Sequence, residues 1–326
     1  MTTSSDSRLN GKLCSLASQK YGESPAGTAS AWDQLLLIEL PKPWPAEVVE
    51  SPRFPSGVAE VLDRASERGV EVKMLCMEPD REYSVDGHAR VMFYSRPDGP
   101  FAVYDKDEFV VPVDEIGALT KSLIEHPETS RQFDAYRQET PHISDMLVCT
   151  HGTYDTCCGS FGYPLYHVLR NQYAAELDGA IRAWRVSHIG GHRFAPNLLD
   201  MPEGRNWVRI DPDSLRALVM KNEPPARLAQ SHRGWAGVAG PFEQLVEQVA
   251  FMQQGWDWSR LLKSSQIVSS DNGSTRVRLD FSDPEKGTSG AYEATVARTK
   301  TVVKANCLNT EDDEIDQYTV SHFHKL

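Results

Sequence analysis

Apolar positions along the chain follow two rhythms: short solid runs, and stretches in which they recur every three or four residues. The first suits a strand buried on both faces, the second an amphipathic helix. "QLLLIEL" (34–40) is a run of the first kind, stopped by "PKPWP". "GVAEVLDRASERG" (57–69) has helical spacing and ends on Gly69, a suitable C-cap. "VEVKMLCME" and "ARVMFYSRP" predict strands, "FAVYDKDEFVVP" one or two more, and "VDEIGALTKSLIEH" (113–126) a helix. Together they make an N-terminal α/β unit that closes in the polar stretch "PETSRQFDAYRQETPH". Residues 1–30, polar and rich in small side chains, read as a tail.

A second unit opens with the strand "DMLVCT" (145–150). A loop and a helix through "YPLYHVLRNQYAAEL" (163–177) follow, then the strand "AIRAWRVS" (180–187). "PNLLDMPEGRNWVRI" (196–210) reads as a hairpin turning at Pro202, Glu203 and Gly204, and "DPDSLRALVMKN" (211–222) as an aspartate-capped helix. This order of elements matches a thioredoxin-like unit. Beyond it lie the helix "GPFEQLVEQVAFMQQG" (240–255) and β-like segments such as "TRVRLDFSD" and "AYEATVART". The expected division is an N-terminal α/β domain over 1–138, a thioredoxin-like domain over 139–255 and a small C-terminal β extension over 256–326. No internal repeat stands out.

The length of 326 residues supports two or three such units. The net charge of −12 argues against a nucleic-acid partner, since a phosphate backbone calls for a basic footprint. No apolar run reaches the length a bilayer needs, and the N-terminus lacks an apolar signal core, so a cytoplasmic location and no membrane partner are expected. In that compartment the six cysteines are expected to be thiols or metal ligands rather than disulfides.

The chemistry gathers in the second unit. "CTHGTYDTCCG" (149–159) follows its first strand, and "HIGGH" (188–192) follows the next. Parallel neighbours across a helix crossover place their C-terminal ends on one edge of the sheet. Cys149, Cys158, His188 and His192 therefore converge, a composition suited to a metal site. Structural zinc usually takes its cysteines from a knuckle two to four residues apart. Here eight residues intervene, as though the loop wraps a larger object such as a [2Fe–2S] cluster. Zinc, iron–sulfur and no metal all remain open on spacing alone. Among the neighbours, His151 could hydrogen-bond a bound sulfur or serve as a surface or capping residue, Asp155 holds the loop turn, and Arg193 could face a partner. His322 and His324, near the C-terminus, read as a solvated end rather than a second metal site. Cys14, Cys76 and Cys307 stand isolated in sequence, Cys76 as a core residue.

"CTHGTYDTCCG" followed by "HIGGHRFAPNLLDMPEGRNWVRI", with "AGTASAWDQLLLIELPKPWP" (26–45) and "HRGWAGVAGP" (232–241), resembles the sucrase/ferredoxin-like family of thioredoxin-fold [2Fe–2S] proteins. The resemblance implies a bis-histidine cluster in which Cys149 and Cys158 bind one iron and His188 and His192 the other. Its C-x8-C spacing selects Cys158, leaving adjacent Cys157 as a core filler or spare ligand. No carboxylate pair placed for glycoside hydrolysis accompanies these motifs.

Such a site makes an electron carrier the leading expectation. Neutral imidazoles in place of thiolates should lift the potential toward roughly −150 to +300 mV. No phosphate-binding glycine loop is present, so the electron is expected from a partner such as a flavin-dependent reductase. Two other readings compete: a structural or hydrolytic zinc protein on the same four ligands, and a thiol–disulfide oxidoreductase using Cys157 and Cys158, which lack the C-x-x-C spacing. If His188 and His192 couple proton to electron transfer, the midpoint potential will fall with rising pH between about pH 6 and pH 10, because oxidised iron acidifies a bound imidazole. Protein-film voltammetry reads this directly, and a flat profile rules the coupling out.

Overall fold

The structure, a computed structural model, describes residues 13–271, 273–305, 307 and 313–326. It is mixed α/β, with a nine-stranded sheet and a second, four-stranded antiparallel sheet. Helix α1 (Cys14–Lys20) comes first and buries Cys14, Ser15 and Ser18, so this part of the expected tail is packed. Two stretches of chain then trace the same path. One is β1 (Gln34–Glu39), α2 (Val58–Glu67), β2 (Val72–Met77), β3 (His88–Ser95), β4 (Asp105–Pro112) and α3 (Ile116–Glu125). The other is β5 (Ser144–Cys149), α4 (Thr156–Val168), β6 (Ile181–Val186), β7 (Asn197–Met201), β8 (Arg205–Val208) and α5 (Pro212–Met220).

In each stretch the strands flanking the first helix are parallel. The third strand runs antiparallel to the first, and the fourth antiparallel to the third. The topology thus repeats although the residues show no repeat. A buried strand needs only apolar side chains of suitable volume, so one path can be kept with little residue identity.

The two units are joined end to end. β2 and β6 meet antiparallel at the pair Met77 and Val186, the last residue of each strand. Glu78 N–H donates to Arg185 O (2.9 Å) and Ser187 N–H to Cys76 O (2.8 Å) beside it. The C-terminal ends of both parallel pairs therefore meet in the middle of the molecule. β9 (His232–Trp235) completes the sheet, in the order β4-β3-β1-β2-β6-β5-β7-β8-β9.

Strand side chains alternate between faces. Leu35 and Leu37 enter a core shared with Leu147, Trp184 and Leu199 of the second unit. Leu36 and Ile38, one position away, pack with Val61 of α2 and Leu119 of α3. Met146 and Val148 lie likewise with Leu165 of α4 and Leu215 of α5. Each unit keeps its helices on the outer face and sets its bare sheet face against the other. This is why the strands read as solid apolar runs. Helix α6 (Pro241–Gln254) packs against the second sheet, β10 (Leu262–Asp271), β11 (Ser274–Asp283), β12 (Thr288–Lys304) and β13 (Asp313–Lys325), through Val246, Phe251, Val277 and Leu279.

One expected boundary moves. α4 begins at Thr156 rather than near Tyr163, because Asp155 caps it, its Oδ1 accepting from Cys157 N–H at 2.8 Å. Gly159 and Gly162, which suggest a loop in the sequence, are inside this helix. Among the described residues, no helix is long and apolar enough to cross a membrane.

Buried charges tie the units together. Asp145 of β5, fully buried, accepts from Tyr94 OH (2.8 Å), Lys106 Nζ (2.6 Å), Arg182 Nε (2.8 Å) and Trp184 Nε1 (2.8 Å). Glu108 of β4 accepts from both terminal nitrogens of Arg182, at 2.8 and 2.7 Å, and from Arg90. Burial pushes the Glu108 carboxyl up, but Arg182, Lys106 and Arg90 outweigh it and hold the group at about 2. A carboxylate held low adds stability that is complete above its ordinary value of 4.5 and is lost as pH falls toward about 2. Breaking a buried pair costs about 3–5 kcal/mol. The urea midpoint of Glu108→Gln should therefore sit well below wild type at neutral pH, and the gap should narrow as pH drops from 4.5 toward about 2.

Candidate metal centre

The site grows from the ends of β5 and β6. Cys149 is the last residue of β5 and is buried, and Thr150 N–H donates to Val186 O (3.0 Å), which keeps the two strand ends level. The chain turns through 150–155, where Tyr154 and Asp155 N–H both donate to His151 O at 3.2 Å, and enters α4. Cys157 and Cys158 therefore sit on consecutive positions of the first helical turn, about 100° apart around the axis. Their neighbours differ accordingly. Cys158 packs in the shared core with Cys149, whereas Cys157 packs with Cys14, Ala195 and Ala305.

The helix approaches β5 closely because Gly162 has no side chain. A Cβ there would lie 1.9 Å from Cys149 O. Gly152 and Gly159 pack backbone to backbone, a Cβ on Gly159 falling 3.0 Å from Gly152 Cα. These glycines serve close approach, which composition alone cannot distinguish from turn formation.

His188 leaves β6 two residues past its end. Its Nδ1 lies 3.6 Å from Cys158 Sγ and 4.0 Å from Cys149 Sγ. The ring of Tyr154 stacks on it, centroids 3.8 Å apart. Cys149, Cys158 and His188 offer ligand atoms within 4.8 Å of one another. His192 is elsewhere. After Gly190 (φ +104°) and Gly191 (φ +75°) its Nδ1 lies 3.0 Å from Asp155 Oδ2 and 3.1 Å from Cys14 Sγ, its ring centroid 6.0 Å from that of His188. Of the four residues singled out in the sequence, three thus form one compact group. The fourth joins a second group with Cys14, Asp155 and Cys307.

Electrostatics favour a thiolate at the first group. The Cys158 thiol donating to Cys149, assisted by His188 and the backbone N–H of His151, holds Cys149 well below the usual thiol range against the effect of burial. Cys158 is pushed up in turn by that bond and by burial. Beside the second group the Cys14 thiol draws Cys157 down to about 7. The 187–191 loop is underpinned by two cations: Lys73 Nζ donates to Ile189 O (3.0 Å) and Arg233 Nη1 to Gly190 O (2.9 Å). Burial lowers them to about 8 and about 10 respectively. Neither has a carboxylate partner among the described residues, so positive charge is concentrated beside the thiols.

The first unit supplies the cover. Pro45 O bonds His151 Nε2 (2.8 Å), Trp44 O accepts from Thr153 OH (2.8 Å), and the Trp44 ring meets His151 edge-on. His151 is thereby buried and tied to the first unit rather than exposed. Arg193 is paired with Glu23 (2.6 Å). Cys76 packs with Leu40 and Trp44, and burial pushes it up to about 12. His322 and His324 lie exposed on β13. Sequence reasoning missed Cys14, Cys307, Lys73 and Arg233, which come from distant segments. The available signal was the adjacent pair Cys157–Cys158, since neighbouring helix positions cannot both face one site.

The family model described as sucrase/ferredoxin-like matches residues 25–234, more than half of the chain, a span that includes the cysteine motif and the histidine motif. A protein of Meyerozyma guilliermondii named altered inheritance of mitochondria protein 32 is 25% identical over 118 residues. That similarity covers 34% of this chain and 42% of the relative. No solved structure matches.

Gly162→Ala should push α4 off the end of β5 and spread Cys149 from Cys158. The expected result is a lower thermal midpoint together with metal content, read by plasma emission, falling several-fold. A Ser160→Ala variant on the same helix should leave both unchanged.

Proposed function

Since the chain belongs to the sucrase/ferredoxin-like family, we propose that its second unit is a thioredoxin-like ferredoxin module that holds a [2Fe–2S] cluster on Cys149, Cys158, His188 and His192 and passes single electrons. The observation that carries this reading is the meeting of two thiols and an imidazole at the C-terminal ends of two parallel strands. The H-x3-H pair, on a loop with two left-handed glycines, brings the second imidazole within 6.0 Å of the first, centroid to centroid. The order β6-β5-β7-β8, with α4 and α5 on one face, supports the thioredoxin-like description.

The donor set fits the group. Thiolate and imidazole are soft and borderline donors that suit iron–sulfur or zinc and not hard cations. A bound cluster would supply one-electron transfer. Cys149, already favoured as a thiolate, would need little further cost to ligate. Lys73 and Arg233 place positive charge under the histidine loop and would stabilise the added electron, raising the potential. Asp155 Oδ2 faces His192 Nδ1, so a proton there is held by a carboxylate, the usual arrangement behind a metal-ligating histidine. The half-buried His188 under half-exposed Tyr154 offers the short path to the surface. A reductase of the flavin class would dock there, as no cofactor-binding loop of the chain's own supplies the electron.

One observation favours a second reading. Nitrogen and sulfur donors on a single tetrahedral zinc stand about 3.6 Å apart, and His188 Nδ1 lies 3.6 and 4.0 Å from the two sulfurs. A mononuclear zinc on Cys149, Cys158 and His188 is thus the competitor. Adjacent Cys157 and Cys158, which pack with different neighbours, do not favour dithiol exchange.

Anaerobically purified protein should be coloured and carry two iron and two acid-labile sulfide per chain. Colour should be lost in Cys149→Ser, Cys158→Ser and His188→Ala and kept in Cys157→Ser. Colourless protein without sulfide, holding zinc lost on Cys149→Ser, would establish the competitor.

A further inference from the structure

We propose that Cys14, Cys157 and Cys307, with Asp155 as fourth donor, form a second site for a single thiophilic divalent cation of the zinc class, separate from the Cys149–Cys158 pair. Cys14 opens α1, Cys157 stands on the first turn of α4, and Cys307 follows β12. The three thiols come from segments far apart in the chain. Cys157 Sγ lies 3.6 Å from Cys14 Sγ and 3.6 Å from Cys307 Sγ. Cys14, Asp155, His192 and Cys307 offer donor atoms within 4.8 Å of one another, and Asp155 Oδ1 is 3.8 Å from Cys307 Sγ.

These separations have a specific meaning. Thiolates on a tetrahedral ion with about 2.3 Å bonds stand about 3.8 Å apart. Two of the three sulfur pairs, Cys157 with Cys14 and Cys157 with Cys307, are close to that spacing before any ion enters, and Cys14 and Cys307 lie within 4.8 Å of each other. Apolar packing accounts for Ala195, Ala305 and Phe161 around it; the cap on α4 fixes Asp155, and from there its Oδ1 lies 3.8 Å from Cys307 Sγ, while His192 Nδ1 lies 3.1 Å from Cys14 Sγ. Cys14 and Cys307 lie outside residues 25–234, so the family match does not supply this site.

The consequence is mechanical. An ion bridging sequence separations of 143 and 150 residues would staple α1 and the segment after β12 to the turn that carries Cys158. Removing it would release α1 and the chain around Cys307 while leaving the nine-stranded sheet intact.

Cobalt(II) is the probe, because tetrahedral thiolate sites give it visible bands and sulfur-to-cobalt charge transfer. The full chain carrying Cys149→Ser and Cys158→Ser, reduced and anaerobic, should bind one cobalt per chain with that absorption. Adding Cys14→Ser or Cys307→Ser should weaken binding at least tenfold and cut the charge-transfer intensity by about a third. The same two substitutions in otherwise wild-type protein should remove one equivalent of zinc with iron and sulfide unchanged, a readout that does not need the double mutant to fold. Zinc lost in this way from protein that never carries iron would leave this site standing while the cluster reading fails. No cobalt charge transfer in the double mutant, zinc unchanged in Cys14→Ser, or a Cys14–Cys157 disulfide surviving in protein purified under reductant would each overturn the proposal.

Discussion

The antiparallel meeting of β2 and β6 at their last residues is the constraint on which the remaining arrangement depends. One register pair is a slender joint, and away from it a buried charge network links the two units a second time. Arg90, Lys106 and Glu108 come from the first unit, Asp145 and Arg182 from the second. Burying five charges is costly by itself, and removing any one leaves its partners desolvated and unpaired. Such a network specifies how two sheet faces dock more sharply than apolar contact does, because Leu35 or Leu199 would tolerate a shifted partner and Asp145 would not.

That docking decides what the candidate centre experiences. With the C-terminal ends of both parallel pairs brought to the middle, the "PKPWP" turn of the first unit closes over the cysteine loop of the second. Lys73 of β2 reaches the backbone of Ile189 for the same reason. The first unit holds neither cysteine of the pair, yet it supplies cover and charge. The two units share a path, but Glu39 occupies the sixth position of β1 where Cys149 occupies the sixth of β5. Glu39 is spent on local bonding, accepting from Arg90 N–H at 2.8 Å and from Ser84 OH. One copy of the path thus keeps thiol and imidazole groups at its strand ends and the other keeps structure.

The elements themselves were legible. β1 is a solid apolar run and β2, β3, β5 and β6 are largely apolar because both faces are buried, and α2, α3, α5 and α6 are amphipathic because one face is not. The hairpin at Pro202–Gly204 and the Asp211 cap follow from local turn and capping chemistry. The start of α4 was misplaced because Gly159 and Gly162 resemble loop residues until the strand they approach is known. The packed α1 escaped notice because its buried face is made of Cys14, Ser15 and Ser18, which carry little hydrophobic signal.

By itself the sequence determined the class of fold, the order of elements and the convergence of Cys149, the adjacent Cys157–Cys158 pair and the histidine loop, since parallel strands across a helix must end on the same edge. Only the tertiary structure decided which of Cys157 and Cys158 joins Cys149, that His192 turns toward Asp155 and Cys14, and that Cys307 lies beside them. Local spacing sets where a side chain leaves the backbone. Which distant segments come to meet it depends on how the two sheets dock, through long-range contacts that no window of sequence contains.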